Sequence, residues 1–154
     1  MLTRRTHSAD ETRALAERIG RQLLAGDVLC LRGDLGAGKT TFTQGLARGL
    51  GVPDSEPVNS PTFMLLAEHR AGRVPLFHFD VYRLENSRGL YDLAFDEYLD
   101  ADGVVVIEWA DRIADALPDN RLDIDLAPDG MDSRAITFTP HGARAGQIVE
   151  ALAL

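Results

Sequence analysis

The residues Gly33-Asp34-Leu35-Gly36-Ala37-Gly38-Lys39-Thr40 carry the densest chemistry in the chain. They match G-x-x-x-x-G-K-[ST], the phosphate-binding P-loop. Glycine at 33, 36 and 38 lets the backbone enter conformations closed to a Cβ and approach a phosphate closely. Successive backbone N–H groups then form an anion-binding nest. A helix that follows aims its positive N-terminal end at the same point. Lys39 is expected to reach the β- and γ-phosphates, and the Thr40 hydroxyl to ligate Mg²⁺. Of 16 basic residues Lys39 is the only lysine, so a compact ammonium is kept at the one position where the motif needs it.

Phosphoryl transfer also calls for an acid at the C-terminal end of a strand, to hold the metal and its waters. Two candidates exist. Asp80 ends Leu76-Phe77-His78-Phe79, and Glu108 ends Val104-Val105-Val106-Ile107. Both reach the ligand-gathering edge of an α/β sheet if their strands run parallel to the P-loop strand. His78 stands between two phenylalanines and points to the face opposite them, so it reads as a structural histidine rather than a base. Asn59-Ser60-Pro61-Thr62-Phe63 follows the P-loop helix, where a nucleotide-sensing switch would sit, although the residues alone read as a plain turn. Trp109, the only tryptophan, directly follows Glu108. Its spacing allows a packing role under the next helix or a place beside the nucleotide. No His/Cys cluster suggests a zinc site.

The elements that position these residues follow from apolar periodicity. Val28-Leu29-Cys30-Leu31 is a short apolar run suited to a buried parallel strand. Phe42, Leu46, Ala47 and Leu50 then recur at helical spacing, with Gly51 as a stop. Earlier, residues 2–6 read as an edge strand. Ser8-Ala9-Asp10-Glu11 is a capping box that opens a helix carrying Leu15, Ile19 and Leu23 and ending near Gly26. Residues 52–61 are loop-like. Residues 62–69 and 74–79 are expected as a hairpin about Ala71-Gly72. Short helices are expected over 86–100, a buried strand over 104–107, and a helix over 111–117 that Pro118 stops. Strands at 122–126 and 134–139 flank the Asp129-Gly130 turn. Residues 140–142 break the second strand, and a last helix carries Ile148, Val149, Leu152 and Leu154. Alternating strands and helices predict an α/β fold: a P-loop NTPase domain over 1–154, its mixed sheet largely parallel at the core, with helices on both faces.

Composition narrows the function. At 154 residues, 45% hydrophobic and 26% charged, the chain is ordinary for a soluble globular protein. A net charge of −8 argues against a protein that grips nucleic acid alone. The lone Cys30 excludes an internal disulfide, fits a reducing compartment, and in its apolar strand reads as a buried small hydrophobe. Acidic residues, not an apolar leader, follow Arg4, Arg5 and His7, and no apolar run approaches the ~18 residues of a membrane span. A cytoplasmic protein is the expectation.

Four motifs in order point further. The P-loop through Thr41, Ser60-Pro61-Thr62-Phe63, His78-Phe79-Asp80-Val81-Tyr82-Arg83-Leu84 and Glu108-Trp109 resemble the TsaE (YjeE) family over nearly the whole chain. That family comprises bacterial P-loop ATPases required to make threonylcarbamoyladenosine in tRNA. The resemblance implies ATP and Mg²⁺ as cofactors. It implies phosphate contacts from Leu35, Gly36, Ala37, Gly38, Lys39 and Thr40, with Thr41 beside them. It implies Thr40 and Glu108 at Mg²⁺, and Asp80 as the Walker-B-like acid that completes the metal site. It makes residues 60–63 the switch loop, sets Thr12 near the base and Arg134 near the nucleotide, and favours Trp109 at the nucleotide site. Its implied partners are TsaD and TsaB, acting after TsaC has made the threonylcarbamoyl adenylate, with tRNA met only through them. A small-molecule kinase would need an acceptor pocket and an arginine-bearing lid, for which Arg83 and Arg88 are the nearest material. A GTPase switch would need Asn-Lys-x-Asp, which is absent, and the one Asp-x-x-Gly string, Asp100 to Gly103, precedes a strand.

Overall fold

The computed structural model describes residues 1–153 and builds seven strands. They are β1 (Leu2–Thr6), β2 (Val28–Arg32), β3 (Leu66–His69), β4 (Leu76–Asp80), β5 (Val104–Glu108), β6 (Arg121–Pro128) and β7 (Arg134–His141). Four helices accompany them: α1 (Ala9–Gly20), α2 (Lys39–Gly49), α3 (Phe95–Leu99) and α4 (Ala143–Ala153). Ser87–Leu93 and Ala110–Ala116 are 3-10 segments. Leu154, expected on the last helix, lies outside the described residues.

All seven strands join one sheet in the order β1-β7-β6-β2-β5-β4-β3. The pairs β6–β2, β2–β5 and β5–β4 are parallel, and the pairs toward both edges are antiparallel. This is the expected mixed sheet with a parallel core. Every residue of β4 and of β5 is buried, as strands covered on both faces must be. Alternation divides their side chains between two cores. Leu29, Leu31, Leu76, Val104 and Val106 pack under α1, α2 and α4 with Leu15, Ile19, Phe42, Leu46 and Ile148. Cys30, Phe77, Phe79, Val105 and Ile107 pack on the other face with Leu90, Phe95 and Ile113. Helices α1 and α2 approach so closely that a Cβ on Gly45 would stand 2.4 Å from the Arg13 carbonyl oxygen.

Several boundaries differ from those read in the sequence. Helix α1 stops at Gly20, not near Gly26. The N–H groups of Arg21, Gln22 and Leu23 close its last turn on Glu17 O, Ile19 O and Gly20 O. Carbonyls at and just beyond that end are also bonded from outside, Arg73 donating to Gly20 O at 2.7 Å and Leu23 O at 2.6 Å, and Arg144 to Gln22 O at 2.7 Å. Residues 62–65 are a turn, closed by Leu65 N–H to Pro61 O, so β3 begins only at Leu66. Strand β4 is displaced from the expected 74–79 and includes Asp80. The segment expected as a helix over 111–117 is 3-10, because Ile113 (φ −127°, ψ 35°) interrupts it. Strand β7 continues through Pro140, past the last residue paired with β1. A one-sided position of that kind is where a strand tolerates proline.

Candidate functional site

The P-loop turns directly out of β2 into α2. A Cβ on Gly33 would stand 2.5 Å from Leu126 O, so the loop's first turn against β6 is open only to glycine. Gly36 (φ 78°) and Gly38 (φ 103°) carry the backbone through the left-handed region to the start of α2. Lys39 folds back over the loop and donates to Gly33 O at 2.6 Å and Asp34 O at 2.8 Å. Arg134, reaching in from β7, donates to Ala37 O and Gly36 O, each at 3.0 Å. Lysine and arginine thus brace the loop from two sides.

Strand order decides where the acids fall. Since β5 lies between β2 and β4 and all three are parallel, Leu31 pairs with Glu108 and Glu108 with Asp80. Both acids stand at the carboxyl edge beside the loop. Glu108 Oε1 accepts from Thr40 at 3.3 Å. Ser60 Oγ, in contact with Thr40 Oγ1, lies 3.1 and 3.0 Å from the two Glu108 oxygens. Asp80 Oδ1 accepts from Tyr82 N–H at 3.0 Å, and Oδ2 accepts from Thr62 at 3.2 Å. Gln44 on α2 anchors the approach to this loop by donating to Val58 O at 2.9 Å. Ser60 and Thr62 therefore engage one acid each, which a plain turn would not require. Leu65, just beyond, is held at φ 67°, a costly conformation for a branched residue.

The sheet alternation breaks at Trp109, which takes a left-handed conformation (φ 63°) after β5. Its ring meets the Lys39 ammonium at 3.9 Å and the Tyr82 ring at 4.7 Å, centroid to centroid for the latter. A cavity of about 350 Å³ is lined by Leu35, Gly36, Gly38, Lys39, Thr40, Thr41, Asp80, Glu108, Trp109 and Arg134. Of the candidate residues, two fall outside it. Ala37 is buried within the loop, its N–H bonded to Asp34 O at 3.0 Å. Thr12 lines an adjoining cavity of about 250 Å³ that shares Gly38, Thr41 and Arg134 with the first. Its hydroxyl is bonded to Thr6 Oγ1 at 2.6 Å and Ser8 O at 3.2 Å.

Sequence reasoning missed Tyr82 as a lining residue, and it missed the contact between His78 Nε2 and Glu108 Oε2 at 2.5 Å. The Tyr-Arg pair two residues past Asp80 was a usable signal for the first. Nothing local signals the second.

Charge is balanced at some cost. Burial lowers the pKa of Lys39, and the nearby carboxylates of Glu108 and Asp80 oppose that shift. Burial raises the pKa of Asp80, against the Tyr82 N–H, and the neighbouring Glu108 carboxylate raises it further. Two acids facing one ammonium in a buried corner make a site suited to a bound cation and a phosphate. The donors are all oxygen, from the hydroxyls of Thr40 and Ser60 and the carboxylates of Asp80 and Glu108. That set fits Mg²⁺.

A P-loop between a parallel strand and a helix, with acids at the ends of neighbouring strands, defines a protein of the P-loop NTPase fold. Comparison with known proteins narrows this. A family model described as threonylcarbamoyl adenosine biosynthesis protein TsaE matches residues 6–136. The chain is 47% identical over 148 residues to the "tRNA threonylcarbamoyladenosine biosynthesis protein TsaE" of Bacillus subtilis, covering 96% of this chain and 91% of that one. It is 42% identical to the protein of the same name from Treponema pallidum, covering 86% and 96%. The crystal structure of Bacillus subtilis YdiB superposes with a TM-score of 0.85 at 43% identity, covering 99% of this chain and 93% of that one. The chain belongs to the TsaE family.

Proposed function

We propose that this protein is a Mg²⁺-dependent ATPase whose hydrolysis serves formation of threonylcarbamoyladenosine on tRNA in the cytoplasm, in company with TsaD, TsaB and TsaC. The observation that carries the reading is the meeting of Lys39 and Thr40 with Asp80 and Glu108 in one cavity. The loop amides and Lys39 bind the phosphates and stabilise charge that develops on the transferring group. Thr40, Asp80 and Glu108 would hold the metal, which would supply Lewis-acid stabilisation of charge on the phosphate oxygens. Ser60 and Thr62 link the 59–63 loop to both acids, so a change at the acids is passed to that loop. Trp109 covers one side of the phosphate site, while Thr12 and Thr41 border the space open to the base. The acidic chain leaves tRNA to its partners.

The test is phosphate release by the pure protein against Mg²⁺ concentration. Asp80→Ala and Glu108→Ala are each expected to cut turnover by at least about tenfold, or ~1.4 kcal/mol of barrier, with a smaller loss of ATP binding. Unchanged turnover in both would mean that these buried acids do not serve the metal.

A further inference from the structure

His78 is completely buried, and its Nδ1 has no hydrogen-bond partner among the described residues. Leaving a ring nitrogen unpaired in a core is unfavourable. An apolar side chain would fill the same space without that cost. The imidazole is held by one polar contact, Nε2 to Glu108 Oε2 at 2.5 Å. A carboxylate only accepts, so Nε2 carries the hydrogen of this contact.

The sheet explains how the two meet. Phe77 and Phe79 enter one core, which turns His78 to the opposite face with Asp80. In the β4–β5 register His78 pairs with Val106 and Asp80 with Glu108, so His78 and Glu108 are diagonal neighbours on that face. The histidine thus lies one step deeper than the acids, out of reach of the cavity. It holds Oε2, while Oε1 is the oxygen that meets Thr40.

We propose that His78 is a positioning residue: its Nε2–H fixes the Glu108 carboxylate so that Oε1 is presented beside the Thr40 hydroxyl for Mg²⁺. This rests on the reading of Glu108 as a metal ligand. Outer-shell partners of this kind commonly change metal affinity when removed.

The test compares His78→Phe, which keeps a ring and removes the donor, with His78→Gln, whose amide N–H reaches about as far as Nε2. The full chain is used, at saturating ATP, and the Mg²⁺ concentration for half-maximal hydrolysis is read beside the melting temperature. His78→Phe is expected to need about tenfold more Mg²⁺ or above. His78→Gln is expected to restore the requirement to within about threefold of wild type. In a Glu108→Gln background His78→Phe should shift it no further. If His78→Phe does not fold, His78→Asn, whose amide is too short to reach Glu108, takes its place with the same expectation. A folded His78→Phe or His78→Asn with the wild-type Mg²⁺ requirement overturns the proposal alone. So do Gln and Phe variants that lose activity together in step with their melting temperatures. A wild-type protein without Mg²⁺-dependent hydrolysis overturns the ATPase reading and this role with it.

Discussion

The ammonium of Lys39 stands 3.9 Å from the centroid of the Trp109 ring. The first residue of the P-loop helix is thereby coupled to the first residue after the strand that ends in Glu108. A cation over an indole is favoured by about 0.5–2 kcal/mol, and Arg112 lies over the same ring at 5.6 Å. Trp109 is the only tryptophan, so its emission reports this junction alone. Titration with Mg-ADP should change that emission saturably, and Lys39→Ala should abolish the response. A flat titration, with binding seen by calorimetry, would mean that the ring does not sense the ligand.

Lys39→Arg should be as inactive in ATP hydrolysis as Lys39→Ala, with both variants folded. The ammonium bonds two carbonyls of its own loop within 2.8 Å, a point-charge geometry that a planar guanidinium fork does not reproduce. Burial lowers the Lys39 pKa, a cost that its bonds to the two loop carbonyls offset, so its loss should leave the melting temperature near that of wild type. Phosphate release and thermal melting of the two variants check this.

Asp80 should show the converse of an ordinary salt-bridged acid. Its pKa in the folded chain is raised, by burial first and by Glu108 as well, while the Tyr82 N–H and Thr62 hydroxyl work against the shift. Stability from such a group is full below the usual carboxylate range and falls as pH rises through the folded pKa. Asp80→Asn should therefore melt higher than wild type at pH 7 without metal, and the gain should vanish as pH falls below about 4. Melting curves across pH 3–8 would show the convergence.

Cys30 should be inert in the native protein. It is fully buried, and burial pushes its thiol pKa up to about 12. At pH 8 only about one molecule in ten thousand would carry the reactive thiolate. A thiol-reactive dye should label nothing until denaturant unfolds the chain, and then one site.

The loop, its strand and its helix were legible in the sequence because their signals are local: glycines, one lysine, and apolar residues at the right period. The two acids were legible as strand ends, but their pairing was not. It depends on β5 lying between β2 and β4, and nothing along the chain states strand order. The diagonal from His78 to Glu108 was hidden for the same reason. Helix α1 misled because Leu23 continues the apolar period and is buried although the helix has ended, and the arginines that bond the carbonyls there lie far along the chain at 73 and 144. Ser60 read as part of a turn since a serine beside a proline carries no sign of which acid its hydroxyl will meet.

The proposed coupling of nucleotide hydrolysis at Lys39, Thr40, Asp80 and Glu108 to tRNA modification is tested by measuring threonylcarbamoyladenosine formed on tRNA by TsaB, TsaC and TsaD over many turnovers, with this protein or its Lys39→Ala variant added. The wild-type protein should sustain the product with concurrent Mg²⁺-dependent phosphate release, and Lys39→Ala should give no more than the partners alone. Equal yields with the variant would contradict the claim.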